Sequence, residues 1–555
     1  MKLRGAAKPF SRTFKVKKTS RGKNMRGADL LVELLARNGV RRIYSLSGNQ
    51  IMPIYDACID ADIEIVHTRH EAAAVFMAES WAQLTGEIGV ALVTAAPGFG
   101  NAVGPLFSAR SSESPVLLIS GDAPNGLDGR GAFQELDQTS ISTTLVKAAF
   151  RPVTLENLAR DTLQAISIAT TGRPGPVHLA IPFDVVQQRG DMALPEGSPP
   201  SSFEPRAQDV AAILKGLATA ARPLILTGPA LNSTRAGGLL DALAEAFTVP
   251  VLDLESPRGL KDPSIGTVSR LLPEADLVLC LGKTVDFTLA FGAAPDWSSD
   301  CSWVVVDAEE HARELAARNL GTRLAQSVAA SPRSLIRALL EAPAPEPRRA
   351  DWRVRIVAAA AKRPHEVPAG KEITSATLCT AVQRQVEATE TSVVICDGGE
   401  FGQWAQALVR GDARVINGPS GAIGGALCYA LAAKQARPEA SVVALMGDGT
   451  VGFHFAEFET AARTGVAFVV VIGNDERWNA EHLIQIREYG PDRTVGCTLS
   501  GARYDLAAEA LGCHGAYVTD PDELDDALAQ AFQSGRPACV NVAIKGLPAP
   551  AGEGH

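Results

Sequence analysis

The sequence lacks the features that mark several common classes of protein. Its nine cysteines form no CxxC pair and have no spacing with histidine that suits zinc, and their odd number argues against a disulfide framework. No run approaches the ~18 uncharged apolar residues of a membrane span. The basic N-terminus also lacks the apolar centre of a secretory signal. We therefore expect a protein of a reducing compartment, the cytoplasm, that makes no contact with membranes.

Basic charge is scarce outside the N-terminus. The formal net charge is −9, although residues 1–24 carry nine Lys or Arg and no acid. The rest of the chain is therefore strongly acidic, which argues against a nucleic-acid partner. A clean helix pattern opens at Met25, so we interpret residues 1–24 as a basic extension, to which we assign no fold.

The length and composition indicate several packed domains. The chain has 555 residues, of which 46% are hydrophobic and 21% charged, and ordinary domains have about 100–200 residues. Two proline-rich segments without periodicity, 194–205 and 341–349, have the composition of linkers. They predict domains at 25–193, 206–341 and 350–547, with a tail at 548–555.

Short apolar runs alternate with helical patterns in all three parts. This alternation predicts parallel sheets covered by helices on both faces, and hence an α/β protein with three doubly wound domains. In such sheets ligands bind beyond the carboxyl ends of the strands. No part has a clean GxGxxG after its first strand, which weakens a dehydrogenase interpretation. The predicted strands are 63–67, 88–94, 115–119, 223–227, 249–254, 277–281, 303–307, 392–396, 440–446 and 467–473, and the predicted helices include 71–84, 157–170 and 453–464.

The strongest local signal lies in the last part. The predicted strand there runs into a glycine-rich turn of four residues, Gly447, Asp448, Gly449 and Thr450. The next strand ends before Asn474, and a right-handed crossover makes such strand ends neighbours. A carboxylate oxygen, an amide oxygen and a loop carbonyl near Glu476 suit Mg²⁺ with phosphate oxygens in its open positions. A lone turn of this kind is more often a simple strand exit capped by Asp, but the paired Asn favours the metal site.

The first three residues of this turn, Gly447 to Gly449, are followed after 24 residues by Asn474 and Asp475. This pattern resembles the thiamine diphosphate signature of the acetolactate synthase and 2-oxoacid decarboxylase superfamily. The family pattern usually ends in two asparagines, so Asp475 is a departure. The resemblance implies that the cofactors are thiamine diphosphate and Mg²⁺, with Asp448, Asn474 and Glu476 at the metal. It also implies that the three domains bind the pyrimidine, occupy the centre and bind the diphosphate, in that order.

The first part supplies a glutamate of the kind that this cofactor needs. Glu71 begins a predicted helix of small apolar residues, and apolar surroundings favour a protonated carboxyl group. Taken alone, a glutamate in a first helical turn more often compensates the helix dipole. The family resemblance implies instead that Glu71 protonates the pyrimidine ring and so activates the cofactor. Downstream, Pro97, Gly98 and Asn101 resemble the family's glycine-rich loop over the pyrimidine.

Two further segments resemble those that contact the cofactor in this family. Gly399, Glu400 and Phe401 match the segment that cradles the diphosphate, where glutamine and histidine usually stand at the last two positions. Whether Glu400 turns toward the substrate or is protonated stays open. Gly421 and Ile423 match the stretch whose bulky side chain wedges the cofactor into its bent shape; the alternative is that Ile423 is an ordinary core residue.

The sequence says less about the substrate. The resemblance implies that Phe133 and Gln134 face it. Asn49 stands in a turn that replaces the family's usual Pro-Gly-Gly, so its amide is a candidate donor to a substrate oxygen. Glu481 and His482 occupy the segment that roofs the site in relatives, where they are candidates for proton transfer; the alternative is that they are solvated helix residues.

The resemblance covers residues 25–547 and leaves more than one activity open. Decarboxylation of a 2-oxoacid with carboligation, as in acetolactate synthase, is our first hypothesis. The second is a 2-hydroxyacyl-CoA lyase or oxalyl-CoA decarboxylase, because residues 282–292 resemble that branch. Residues 544–555, however, carry one Lys and no Arg, whereas the phosphates of CoA usually need several cations.

Other properties follow from the resemblance alone. It implies a homodimer or homotetramer with active sites between subunits and a small-molecule substrate, and it leaves FAD or ADP in the central domain undecided. A third hypothesis, of a different class, is a catalytically silent protein that binds thiamine diphosphate. The joint presence of Glu71, Asp448 and Asn474 argues against it.

Overall fold

The computed structural model describes residues 24–192, 194–195, 203–343, 350–363 and 371–550. The basic extension up to residue 23, most of both predicted linkers and the last five residues lie outside these ranges. Across the described ranges, no helix is both long and apolar enough to cross a membrane.

The first sheet has six parallel strands in the order β3-β2-β4-β5-β7-β6. The chain moves outward from β2 to β3 and then crosses to β4 on the other side of β2, so β2 and β4 flank a topological switch point. A short antiparallel pair, β1 and β8, closes this part of the chain. Its elements are β1 Met25–Arg26, α1 Gly27–Arg37, β2 Arg42–Ser45, α2 Met52–Asp60, β3 Glu64–His67, α3 Glu71–Thr85, β4 Gly89–Val93, α4 Pro97–Ser111, β5 Val116–Asp122, α5 Gln138–Ser142, β6 Ala149–Phe150, α6 Leu155–Thr170, β7 Val177–Pro182, α7 Phe183–Gln187 and β8 Arg189–Gly190.

The middle sheet has five parallel strands in the order β10-β9-β11-β12-β13, with its switch point between β9 and β11. Apolar side chains on both faces of the sheet form two separate core clusters. The elements are α8 Ala207–Thr219, β9 Pro223–Thr227, α9 Ser233–Ala236, α10 Leu239–Phe247, β10 Val251–Asp253, β11 Leu277–Leu281, β12 Ser302–Val306, α11 Glu310–Leu320, β13 Leu324–Val328, α12 Pro332–Glu341 and α13 Ala350–Ala361.

The last sheet repeats the plan of the first, with six parallel strands in the order β15-β14-β16-β17-β19-β18 and a switch point between β14 and β16. The elements are α14 Ser375–Glu387, β14 Ser392–Cys396, α15 Gly399–Leu408, β15 Ala413–Ile416, α16 Ala426–Ala436, β16 Ser441–Gly447, α17 Asp448–Val451, α18 Glu457–Thr464, β17 Val469–Asn474, α19 Asn479–Tyr489, α20 Tyr504–Ala510, β18 His514–Val518, α21 Leu524–Gln533 and β19 Ala538–Ala543.

One hydrophobic core joins the first and last sheets. Side chains of α3 and α4 pack with those of α16 and of the strands beneath them in a single cluster. The ring of Phe76 on α3 meets that of Tyr429 on α16 at 5.4 Å between centroids. The α3 helix therefore lies between two sheets, and its apolar composition on all sides reflects this position.

The prediction of an α/β protein with three parallel sheets is confirmed. The predicted strands all occur, with ends that shift by at most a few residues. The predicted helix 453–464 is wrong in its first part, since α18 begins at Glu457. His454 turns inward instead, and its Nδ1 donates to the carbonyl of Gly424 at 2.8 Å.

Candidate active site

The switch point of the last sheet brings together the residues that the sequence predicts for a metal and a diphosphate. β14 and β16 lie side by side there, and ligands of doubly wound sheets bind in the crevice at such a point. β17 pairs with β16 so that Gly473 lies opposite Gly447. The residues that follow these two, Asn474 and Asp448, therefore emerge next to each other at the carboxyl edge.

Asp448 has the properties of a ligand that needs a cation. Its side chain is 1% exposed, and its Oδ2 atom is buried with no hydrogen-bond donor among the described residues. Burial, and then the neighbouring carboxylate of Asp475, raise the pKa of Asp448 to about 7. A buried acceptor without a partner is costly, and a divalent cation satisfies such an oxygen and keeps it ionised. The residues therefore fit the predicted metal.

Asn474 presents its oxygen in a fixed orientation. Its Nδ2 donates to Oδ1 of Asn541 at 3.1 Å and to the carbonyl of Ala502 at 3.4 Å. Its Oδ1 accepts from the backbone N–H of Glu476 at 3.2 Å and keeps a second lone pair. The carbonyl of Glu476 accepts from the amide of Leu499 at 2.7 Å, while the carboxylate of Glu476 lies beside Gly501.

No group of three or more His, Cys, Asp and Glu side chains in the described ranges is arranged to hold a metal ion. A site here thus depends on a mixed set of carboxylate, amide and carbonyl oxygens, which are the ligands that Mg²⁺ takes when phosphate completes its shell.

Glycine is required where the turns of this site approach other groups. A Cβ on Gly449 would lie 2.6 Å from the ring of Trp478, and one on Gly398 would lie 2.6 Å from Cγ2 of Ile423. Gly399 and Gly421 have φ of +80° and +68°, in the left-handed region that favours glycine. The half-buried Ile423 thus stands directly over the loop that follows β14.

Asp397 ties these two loops together, and the sequence analysis did not single it out. Its buried carboxylate accepts from the amide of Gly398 at 2.7 Å and from that of Gly424 at 2.9 Å. Burial raises the pKa of Asp397 to about 6 despite these donors. Thr450, at the other side of the switch point, donates to the Gly447 carbonyl at 3.1 Å. The loop that carries Ile423 is therefore anchored to the end of β14.

The C-terminal segment accounts for Glu400. Its Oε2 accepts from the backbone amide of Ala549, and Trp404, one turn further along α15, donates to the carbonyl of Pro548 at 2.9 Å. Phe401 is buried, and its ring lies so close to Gly473 that a Cβ there would be 2.7 Å away. Within one chain, Glu400 thus holds the segment at Ala549, and Phe401 belongs to the core.

The first sheet brings Glu71, Gly98 and Asn101 together at its own switch point. Glu71 begins α3 and is 8% exposed. Asn101 donates to its Oε2 at 3.0 Å, and a Cβ on Gly98 would lie 3.3 Å from its Oε1. His70 caps the helix, because its Nδ1 accepts from the amide of Ala72 at 3.1 Å. Pro97 begins α4 and is exposed.

A buried amide near this site, Gln50, was missed by the sequence analysis. Its Nε2 donates to Oε1 of Gln134 at 2.6 Å, and its Oε1 accepts from the hydroxyl of Thr94 at 2.6 Å. Asn49, the residue that the sequence analysis chose in this turn, is exposed, and Phe133 is 75% exposed. The sequence did contain a signal for Gln50, because it is a polar residue between the small residues of the turn and an apolar run.

The start of α3 lies against the segment that follows the Asp448 turn. The backbone N–H of Arg69 donates to Glu457 on α18 at 2.9 Å, and the rings of His70 and His454 meet edge to face at 5.8 Å. Glu481 and His482 lie further along the chain on α19, a helix without fully buried residues. The Nδ1 of His482 is nevertheless buried and has no partner among the described residues.

Comparison with known proteins agrees with this geometry. Residues 25–141 match the model of the thiamine pyrophosphate enzyme N-terminal TPP-binding domain, and residues 397–542 match that of the C-terminal TPP-binding domain. The chain is 32% identical over 546 residues to the acetolactate synthase large subunit IlvG of Mycobacterium tuberculosis, covering 94% of this chain and 96% of the relative. The chain belongs to the thiamine pyrophosphate enzyme family.

Other members of the thiamine pyrophosphate enzyme family are similar over nearly their whole length. The 2-hydroxyacyl-CoA lyase 2 of Bos taurus is 30% identical, covering 93% of this chain and 90% of the relative, and that of Homo sapiens is 29% identical, covering the same shares. These similarities confirm the predicted family and that its members are enzymes. They also confirm the predicted cofactor, since thiamine diphosphate is another name for thiamine pyrophosphate.

This family member also has a large cavity at the switch point of its middle sheet. The cavity has a volume of about 810 Å³, and the ends of β9, β11 and β12 contribute Gly228, Gly282 and Asp307 to its wall. Arg173, from the first part of the chain, reaches into it and pairs with Asp307 and Glu113. Further arginines line the wall: Arg235, Arg333, Arg337 and Arg437.

Proposed function

We propose that this thiamine diphosphate-dependent enzyme uses Mg²⁺ and decarboxylates a 2-oxoacid, joining the remaining fragment to a second carbonyl compound as an acetolactate synthase does. The observation that supports the metal is the buried Oδ2 of Asp448, which has no hydrogen-bond donor among the described residues and lies beside the oriented amide of Asn474. Bound thiamine diphosphate supplies the electron sink that such carbon–carbon chemistry needs. The residues of the chain supply binding, orientation and proton transfer.

The metal and diphosphate are held by the last sheet in this proposal. Asp448, Asn474 and the carbonyl of Glu476 contribute oxygens to Mg²⁺. The turns around Gly398 and Gly449 let backbone amides approach the phosphates, since a Cβ at either glycine would collide with a neighbouring side chain. Because Glu400 is bonded to Ala549, its carboxylate is directed to the C-terminal segment and does not oppose the diphosphate.

Glu71 is the proton donor to the pyrimidine ring in this proposal. Its position at the start of a helix, largely shielded from water, keeps the carboxyl group in a low-polarity environment. The Asn101 amide fixes one carboxyl oxygen, which leaves the other, beside Gly98, to face the ring. Ile423 is the wedge that sets the shape of the cofactor.

Substrate contacts come from Gln134 and Phe133, with Asn49, Glu481 and His482 as further candidates. Gln50 fixes the amide of Gln134, and this preorganises a polar contact for a substrate oxygen. The phosphates of CoA usually need several cations, and the C-terminal segment offers few. Residues 544–555 provide one Lys and no Arg, and Lys545 pairs with Glu372.

We assign FAD or ADP to the middle cavity, because its glycines, acidic strand end and arginines match what a nucleotide diphosphate requires. We also propose a homodimer or homotetramer with active sites shared between subunits. The exposed ring of Phe133, which a second copy would cover, supports this. The nine cysteines are all free and buried, in keeping with the cytoplasm.

A second candidate activity is cleavage of 2-hydroxyacyl-CoA thioesters. The similarity to 2-hydroxyacyl-CoA lyase 2, which nearly equals that to acetolactate synthase, favours it. The two activities differ in their substrates and products, so one screen separates them.

The experiment begins with calorimetric titration of the apoprotein with thiamine diphosphate in the presence and absence of Mg²⁺. A panel of 2-oxoacids and 2-hydroxyacyl-CoA thioesters is then assayed with product identification. CO₂ release and a coupled product from 2-oxoacids support the proposal. Aldehyde release from thioesters alone would replace it by the lyase, and binding without turnover of any substrate would favour the silent binder.

A further inference from the structure

We propose that Asn541 is a positioning residue that orients Asn474 for the metal. The inference rests on the proposed metal site and names a residue that has no contact with the cofactor in that proposal. Asn541 lies on β19, which pairs in parallel with β17 so that Asn541 is opposite Ile472, two residues before Asn474. Its side chain is completely buried.

The amide orientation at this position follows from unambiguous partners. The carbonyl of Ala502 can only accept, and Asn541 donates to it from Nδ2 at 2.9 Å. The Oδ1 of Asn541 therefore faces Asn474, whose Nδ2 donates to it at 3.1 Å. At the other end of Asn474, the backbone N–H of Glu476 can only donate, and Oδ1 accepts from it.

A reversed Asn474 amide would place an NH₂ group against the N–H of Glu476 and against Mg²⁺. It would also leave Oδ1 of Asn541 facing another acceptor. A buried polar group left without its partner costs about 1–3 kcal/mol. Asn541, together with the N–H of Glu476 and the carbonyl of Ala502, thus selects the one orientation of Asn474 in which an oxygen lone pair is available to a cation.

The segment 502–505 contacts both proposed metal ligands, Asp448 and Asn474. Tyr504 donates from its hydroxyl to the carbonyl of Asp448 at 3.0 Å, while Ala502, two residues earlier, accepts from both asparagines. Asp505 accepts from Asn541 at 3.4 Å and is paired with Arg503 at 2.6 Å. The segment 502–505 therefore fixes Asn541 from one side while Asn474 engages it from the other.

A polar side chain is unusual at the position of Asn541, because its neighbours in the strand are apolar and buried. β19 reads Ala538-Cys-Val-Asn-Val-Ala543 and is buried over nearly its whole length. A buried amide in such a strand is unfavourable unless its hydrogen bonds are made. Removing a residue that holds a metal ligand in place typically lowers metal affinity about 10–100-fold.

The test is a Mg²⁺ titration of the full-length apoprotein at saturating thiamine diphosphate. Calorimetry or near-ultraviolet circular dichroism monitors the binding. For N541A we expect the half-saturating Mg²⁺ concentration to rise about 10–100-fold while the protein stays folded at the assay temperature. Should N541A not fold, N541V, which keeps more of the volume and a strand-forming side chain but offers no acceptor to Asn474, is expected to show the same shift.

N232A is the matched control, because Asn232 is also a buried asparagine and lies in the middle part of the chain. It should lower the melting temperature and leave Mg²⁺ affinity unchanged. An unchanged Mg²⁺ affinity in folded N541A or N541V would overturn the inference, provided that D448A abolishes the Mg²⁺ dependence. If D448A has no effect either, the proposed metal site itself is wrong.

Discussion

At the scale of single residues, the structure separates the two glutamates of α3. Glu71 lies at the start of the helix, where Asn101 is the one side chain of the described residues that donates to its carboxyl group, and the other oxygen stays available. Glu79, two turns further on, is fully buried and accepts from Ser112 at 2.6 Å and from Tyr429 at 2.9 Å. The first is placed for proton exchange with a ligand, and the second joins two helices.

The substitution E71Q should lower turnover by about 10²–10⁴-fold, because an amide cannot donate the proton that a general acid supplies. Affinity for thiamine diphosphate and Mg²⁺ should change far less, since the metal site lies on the last sheet. Steady-state kinetics and calorimetric titration measure the two effects. E87Q, an exposed glutamate just beyond the same helix, is the control and should retain wild-type rates; a wild-type rate in E71Q would remove its role.

Glu79 should make stability depend on pH. Burial raises the pKa of Glu79 to about 7, from an ordinary value of 4.5. Between these values the folded protein holds a proton that the unfolded chain has released, so stability falls as pH rises from about 4.5 to 7. Above pH 7 the full cost is present, about 3–4 kcal/mol at about 1.4 kcal/mol per pKa unit.

Because glutamine resembles the protonated acid, E79Q should lose this dependence. Its melting temperature relative to wild type should be higher at pH 8 than at pH 5, as measured by scanning calorimetry in matched ionic strength. An equal difference between the two proteins at both pH values would show that Glu79 does not titrate in this range.

At the scale of elements, the close contact between α3 and β4 depends on the absence of a side chain at Gly89. A Cβ on Gly89, the first residue of β4, would lie 1.9 Å from the carbonyl oxygen of Ala78 on α3. The helix that carries Glu71 therefore packs directly on the backbone of the strand. Close approach of this kind sets the height of α3 above the sheet and so the position of its first turn.

G89A should force α3 away from β4 and destabilise the protein by about 1–3 kcal/mol, the usual cost of overpacking. G100A is the matched control, since a Cβ there meets nothing within 4 Å and alanine has the higher helix propensity. Denaturant unfolding compares them. If G89A were as stable as G100A, α3 could shift away from β4 at little cost, and the close contact at Gly89 would not determine the position of the helix.

The helix predicted at 453–464 shows where a periodic pattern is insufficient. Phe453 to Ala456 fit the apolar spacing of a helix, but the structure begins α18 only at Glu457. The hydrogen bond from His454 to Gly424 and the close packing of Phe453 on the backbone of Gly424 take these residues out of the helix. Both contacts come from a loop 30 residues earlier, which a local pattern does not contain.

At the scale of the whole molecule, one arginine connects the first and middle parts of the chain. Arg173 pairs with Glu113 of the first part and with Asp307 at the end of β12, and it donates to the hydroxyl of Thr284 at 3.0 Å. Both carboxylates are nearly inaccessible to water. The wall of the middle cavity therefore depends on a charge that comes from another sheet.

R173M should destabilise the protein by about 3–5 kcal/mol, because it leaves two buried carboxylates without their cation. It should also uncouple the unfolding of the middle part and give a second calorimetric transition. R384M is the control, since Arg384 forms an ion pair with Asp525 in which both side chains are more than half exposed, a type of pair worth about 0–1 kcal/mol. Equal stability of the two variants would contradict a structural role for Arg173.

The sequence alone determined the fold class and the chemistry-bearing motifs. Apolar runs between helical patterns specify parallel sheets because each strand is buried on both faces, and that information is local. The turn around Asp448 and the paired Asn474 were readable because each is a strand end with an unusual polar residue. The role of Glu71 was implied by the family resemblance, since such a glutamate alone more often compensates the helix dipole.

Only the tertiary structure decided which polar groups meet. Gln50 reaches Gln134 across 84 residues, Asn541 reaches Asn474 across 67, and Glu400 reaches Ala549 across 149. Hydrogen bonds between such distant residues depend on strand order and register, which no periodicity encodes. The shared core of the first and last sheets belongs to this category as well, because it forms when two separately patterned surfaces exclude water from each other.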